Sequence, residues 1–144
     1  MAFENFEHKA DIGVRGIGST VEKSFEEGAK AMFDVEVDLK RVRAAKKIKI
    51  KCSALNNEEL FVEFLNALLA QASIHQMIFS KFKVEKISKG KQLELNGSAW
   101  GETLDVKKHK PHDEVKAATY SQLKVEKKKI KAREMWVSQC IVDV

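Results

Sequence analysis

Carboxylates and imidazoles carry most of the chemistry open to this chain. Asp143 lies one residue from the α-carboxylate of Val144, so an end held in the fold would fix two anionic groups side by side. Another carboxylate, Asp11, stands near the opposite terminus in His8-Lys9-Ala10-Asp11-Ile12-Gly13. Such oxygens are hard ligands of the kind calcium and magnesium take. The residues alone equally allow an Asx turn at Asp11 and a frayed, solvated end at Asp143. The densest cluster is His109-x-x-His112 with Asp113 and Glu114, side chains that bind metals or exchange protons near neutral pH. A hydrated recognition loop competes with that reading. Nucleophilic hydrolysis has little support, because Ser19, Ser53 and Ser121 lack a nucleophile-elbow setting.

Composition narrows the class. The chain has 144 residues, 44% of them hydrophobic, which suits one domain (1–144) with a continuous core. A charged fraction of 33% and the lack of a long apolar run predict a soluble protein that does not enter membranes. No secretory pattern opens the chain, so a cytoplasmic location is expected. Cys52 and Cys140 lie in apolar alternating segments and read as buried free thiols. The net charge of +5 is almost wholly lysine, since Arg15, Arg41, Arg43 and Arg133 are the guanidinium groups. That balance permits contact with RNA or an acidic protein without demanding either.

Periodicity supplies the elements that must position these groups. A short edge strand is expected around Phe3–Phe6 and a second strand over Ile12–Gly18. Ser19–Glu22 reads as a capping box for a helix carrying Val21, Phe25, Ala29 and Met32 or Phe33, with Asp34–Asp38 leading out of it. Lys46–Cys52 alternates, which turns Lys47, Lys49 and Lys51 to one side, a solvated face or a phosphate contact. Asn56 caps a second helix with a wide stripe of Leu60, Phe61, Phe64, Leu65, Leu68 and Leu69, ending near Ser73 with His75 just beyond.

Phe79–Ile87 and Gln92–Glu102 form a hairpin, and Pro111 breaks the polar loop after it. Val115–Val125 is extended, Lys127–Lys131 turns the chain, and Glu134–Val144 is the last strand. Trp136, Ser138, Cys140, Val142 and Val144 share one side of it, and Val137, Gln139 and Ile141 the other. The expected fold is an α+β single-domain sandwich, mainly antiparallel, with two principal helices on one sheet face.

The ordered set Phe6-Glu7-His8-Lys9-Ala10-Asp11-Ile12-Gly13, the apolar helix after Asn56, Gly101-Glu102, Lys108-His109, Val115-Lys116-Ala117-Ala118-Thr119-Tyr120 and Val142-Asp143-Val144 closely resembles the archease family. The resemblance implies a non-catalytic activator of an RtcB-type tRNA-splicing ligase. Such an activator promotes the ligase's guanylylation and multiple turnover, and can broaden its nucleotide use; GTP is consumed by the ligase. It also implies that Asp11, Asp143 and Val144 hold a divalent cation, calcium or alternatively magnesium. His8, His109, Lys116 and Thr119 match further motif positions and would support or present that site to the partner. Lys9 stands where the family more often has threonine. On this reading tRNA is met indirectly, by a monomer or small homo-oligomer. An RNA-binding adaptor or modulator of RNA-modifying enzymes is the alternative, and a metal-dependent phosphohydrolase built on His109 and His112 a remote one.

Overall fold

The computed structural model describes residues 1–8 and 11–144, so Lys9 lies outside the described residues. The elements follow the chain as β1 (Ala2–His8), β2 (Asp11–Gly18), α1 (Val21–Glu36), β3 (Lys46–Ala54), α2 (Asn57–His75), β4 (Met77–Lys89), β5 (Leu93–Thr103), the one-turn α3 (Val106–His109), β6 (Ala117–Ala118), β7 (Lys124–Ile130) and β8 (Arg133–Asp143). One sheet has the order β1-β2-β8-β6, with β7 pairing further along β8; the other is β3-β5-β4. Every described pairing is antiparallel. The fold is thus α+β, with two principal helices and mainly antiparallel sheets in a sandwich.

The helices do not lie on one sheet face as expected; they form a layer between two sheets. α1 packs on β2 and β8 on one side and β4 on the other, while α2 packs on β3, β4, β5 and β6. Of the predicted stripe, Phe25, Ala29, Met32 and Phe33 are fully buried and Val21 is half-buried, and Gly28, Ala31 and Val35 beside it are buried as well. A helix covered on two sides needs this wider apolar arc. Rings tie the layers together: Phe25 lies 5.2 Å from Phe61 between the helices, and Phe33 lies 5.6 Å from Phe79 on the second sheet. Each such ring contributes about 1.5–3 kcal/mol by burial.

Local chemistry moves several expected boundaries. The α1 cap is Thr20, one residue after Ser19, accepting the Lys23 N–H at 3.1 Å. Asn56 caps α2 as expected, accepting the Glu59 N–H at 2.9 Å. α2 runs past Ser73 to His75, where Gln76 turns into the left-handed region at φ 53° and gives its N–H to the last carbonyls. The extended run over Val115–Val125 is interrupted: β6 and β7 are two pieces of one edge, separated by a loop containing Gln122 at φ 50°. The expected turn at Lys127–Lys131 is mostly strand. Lys131 and Ala132, at φ 50° and 66°, make the reversal between the paired residues Ile130 and Arg133.

Glycine is required where β2 crosses α1. A Cβ on Gly16 would overlap the Ser24 carbonyl oxygen and the Gly28 amide nitrogen, both backbone atoms that cannot yield alone. Gly16→Ala should therefore lower stability by at least about 2 kcal/mol through overpacking, read as a lower urea midpoint at unchanged m-value. An unchanged midpoint would mean that the helix and strand can separate freely.

Candidate functional site

The β2–β8 ladder runs to Ile12 opposite Val142, and one further step sets Asp11 opposite Asp143. Alternation puts Asp11 on the outer side of the sheet with Gly13 and Arg15, and Asp143 there with Ile141 and Gln139. β1 brings the backbone of His8 opposite Asp11, and β6 brings Ala117 opposite Asp143. Asp143 is exposed, while Asp11 and Val144 are half-buried. The Lys116 N–H donates to the Asp143 carbonyl at 2.8 Å. Thr119 donates to the Ile141 carbonyl twice, from its N–H at 3.0 Å and its hydroxyl at 2.8 Å. One end of the sheet thus gathers Asp11, Lys116, Thr119, Asp143, Val144 and the backbone of His8. Thr119's contacts hold the edge strand in place.

These groups suit a hard cation in donor chemistry, with two facing carboxylates and the oxygens of Val144 beyond them. Among the described residues, no group of three or more His, Cys, Asp or Glu side chains is placed to hold a metal. The remaining ligands would come from main-chain or terminal oxygens, water or a partner.

His109 belongs to a different structure. Its ring is buried, with Nδ1 accepting the Asp105 N–H at 2.9 Å and Nε2 lying 2.9 Å from Glu102 Oε2. An Nδ1 that accepts leaves the proton on Nε2, so the neutral ring donates to Glu102. The Arg43 N–H, the Lys108 ammonium and His109 together hold the Glu102 carboxyl down at about 2. His109 is therefore a fastener for the loop after β5, and it does not join His112 in an acid–base pair. Gly101-Glu102 and Lys108-His109, quoted above as motif pieces, meet in this cluster.

His112, Asp113 and Glu114 border a groove of about 610 Å³ whose walls include the C-terminal turns of α1 and α2. Glu36, which the sequence reading did not single out, anchors this wall. Its carbonyl accepts the His112 N–H at 2.7 Å and its carboxyl accepts the Val115 N–H at 3.0 Å. Because Lys116 bonds to Asp143, successive amides tie the end of α1 to the end of β8. Burial pushes the Glu36 carboxyl up to about 7, against the Val115 hydrogen bond and with repulsion from Glu114. Burial likewise raises Asp34 in the same turn, and no basic residue offsets the helix's negative end there.

Lys47, Lys49 and Lys51 are exposed on β3 in the other sheet, away from this end. Cys52 and Cys140 are free thiols, half-buried and buried, and burial pushes both up to about 12, which leaves them unreactive at neutral pH.

A carboxyl raised by folding adds stability that is complete below its unfolded value and lost as pH rises through its folded value. For Glu36 that window runs from the ordinary value of 4.5 to about 7. Glu36→Gln should leave stability near wild type at about pH 5 and exceed it by about 1–3 kcal/mol at about pH 8. Paired denaturation curves at the two pH values check this, and a constant difference would remove the assignment.

Residues 3–144 match the archease protein family. The archease of Pyrococcus furiosus is 38% identical over 142 residues, covering 99% of this chain and 98% of that one. The archease of Sulfurisphaera tokodaii is 39% identical over 126 residues, covering 88% and 89%. The solution structure of protein 1598 of Methanobacterium thermoautotrophicum superposes with a TM-score of 0.82 at 33% identity, covering 99% of each chain. A Thermotoga maritima archease crystal structure, with a TM-score of 0.52 at 18% identity over 98% of this chain and 96% of that one, shares the fold. Family match, identity across the full length and a common architecture agree: this chain belongs to the archease family.

Proposed function

We propose that the chain is a non-catalytic activator of an RtcB-type tRNA-splicing ligase, working through the end of the sheet that carries Asp11 and Asp143. The observation that carries this reading is the β2–β8 register, which runs to Ile12 opposite Val142 and, continued by one step, sets Asp11 and Asp143 in one cross-strand position. Membership of the archease family supports a ligase as the partner, and GTP would be consumed by that ligase and not by this chain. Activation of guanylylation and of multiple turnover, with broadened nucleotide use, is the effect assigned to the contact.

Asp11, Asp143 and Val144 would hold the divalent cation, calcium or alternatively magnesium. Calcium takes about six to eight oxygens, so a bound ion would neutralise the facing carboxylates and keep positions for water or partner oxygens. Lys116 and the backbone of His8 flank the position, and the Lys116 amide fastens Asp143. The engagement of His109 with Glu102 occupies one of the two imidazoles on which a phosphohydrolase would rely, which supports the non-catalytic reading.

Two like charges placed directly opposite in a sheet are destabilising by roughly 0.2–1 kcal/mol. Asp11→Asn or Asp143→Asn should therefore raise the Tm of the chelator-treated protein slightly and abolish the further rise that calcium gives wild type. In reconstituted ligase guanylylation, either variant should lose at least about tenfold of the stimulation while remaining folded. Calcium shifts and stimulation equal to wild type in both variants would sink the proposed tip.

A further inference from the structure

We infer that the outer face of the β3-β5-β4 sheet binds single-stranded RNA. The helix layer covers the other side of this sheet, where Ile50, Phe82, Val84, Leu95 and Ala99 are buried. Alternation turns the remaining residues to the outer face in three cross-strand rows, Lys47–Trp100–Lys81, Lys49–Ser98–Lys83 and Lys51–Asn96–Lys86, with Ser98 buried and Trp100 half-buried between their lysines. Six lysines thus stand in two files on either side of a polar strand, and all six are exposed. Rows repeat every two residues, about 6.8 Å, and the files lie two strand spacings apart, about 9.6 Å. This is a strip of strand with a cationic rail on each side.

Their alignment in rows, more than their lack of ion pairs, distinguishes these lysines, because most of the other described lysines are unpaired too. Elsewhere Lys30, Lys108, Lys127 and Lys128 each meet a carboxylate within 4.0 Å. Among the described residues, the six on this face make no such pair. Glu85 sits in the β4 bulge and is occupied by the Ser98 hydroxyl at 2.7 Å, and Glu94 lies beyond the third row. The face therefore keeps a net positive field, six lysines against the Glu85 carboxylate, whose charge the hydroxyl bond leaves in place.

Trp100 decides the kind of polyanion. It is half-buried in the middle strand, with Lys81 Nζ 4.7 Å and Lys47 Nζ 5.5 Å from its ring. An aromatic ring set among phosphate-binding cations matches the stacking platform and charged groove by which proteins hold unpaired strands. A duplex hides its base faces, so stacking selects single strands. The choice of RNA over DNA rests on the ligase reading above. The sheet would then hold the strand while the acidic end meets the protein partner.

The test is fluorescence anisotropy with a labelled single-stranded RNA of about twelve nucleotides and the purified chain, without ligase. Binding should appear at about 50 mM salt and weaken with a log–log slope of about −2 to −4, corresponding to roughly three to five phosphates at about 0.7 each. The Lys49→Glu/Lys83→Glu double variant should lose at least tenfold in affinity. Trp100→Ala should lose about tenfold and Trp100→Phe no more than about threefold, both at unchanged helix content by circular dichroism. Asp11→Asn should bind RNA like wild type, so failure of the tip and failure of this face are read separately. No binding at low salt, equal affinity for the lysine double variant, or duplex RNA bound as tightly as the single strand would overturn the inference.

Discussion

A slip of one residue between β2 and β8 would turn Asp143 to the inner face of the sheet and part it from Asp11, because side chains alternate with a period of two. Three contacts forbid the slip. Gly16 must face α1, since any other residue there collides with the helix backbone. Ser138, paired with Gly16, meets Ser24 of α1 in a buried hydroxyl–hydroxyl bond of 2.7 Å. On the outer side, Arg15 Nε donates to Gln139 at 2.9 Å while its guanidinium lies 4.7 Å from the Phe6 ring. The inner contacts specify depth and the outer ones direction, so the carboxylates at the end of the ladder inherit their positions from residues well inside it.

The second restraint on that end is the strap that descends from α3. It leaves Lys110 at φ 46°, crosses Pro111, and is fastened at His112 and Val115 to Glu36 before Lys116 reaches Asp143. Glu36 is an uncomfortable anchor. It is largely buried at the negative end of a helix, near Glu114, and its carboxyl is raised to about 7 in consequence. A fold selected for stability alone would place a neutral acceptor here. The strain coincides with the wall of the groove and with the approach to Asp143, where local opening would be least costly.

How much of this could be read from the sequence differs by element. Residues that obey one clear period were legible: Asn56 as a cap, the Leu60–Leu69 stripe, and the alternation of Lys46–Cys52 all appear as expected. The reversal at Lys131–Ala132 was not, because two non-glycine residues adopt positive φ there without the Asn-Gly signal such turns favour. Gln76 hid the end of α2 for the same reason. The three-layer arrangement was invisible because a helical stripe reports one covered face and does not count the layers beyond it. Asp11 and Asp143 were individually conspicuous, yet only a family resemblance paired them; tertiary register is not a local property. His109 was legible as chemistry and misleading as a site, since its partner Glu102 lies on a strand that ends before the loop begins.

The layer order also explains how a chain of net charge +5 can carry an acidic end. Asp11, Asp34, Glu36, Asp113, Glu114 and Asp143 collect at or near one end of the β2–β8 sheet and the helix termini beside it. Six lysines aligned in rows stand on the outer surface of the other sheet. A helix diameter of about 10–12 Å separates the sheets, more than the screening length of about 8 Å at physiological salt. Neither field cancels the other. Helices packed on one side of a single sheet would leave one strand surface free, whereas helices enclosed between two sheets leave two. Each surface can then be charged for a different partner without competing for the same core, and the helices, covered on both sides, supply the common rigid frame.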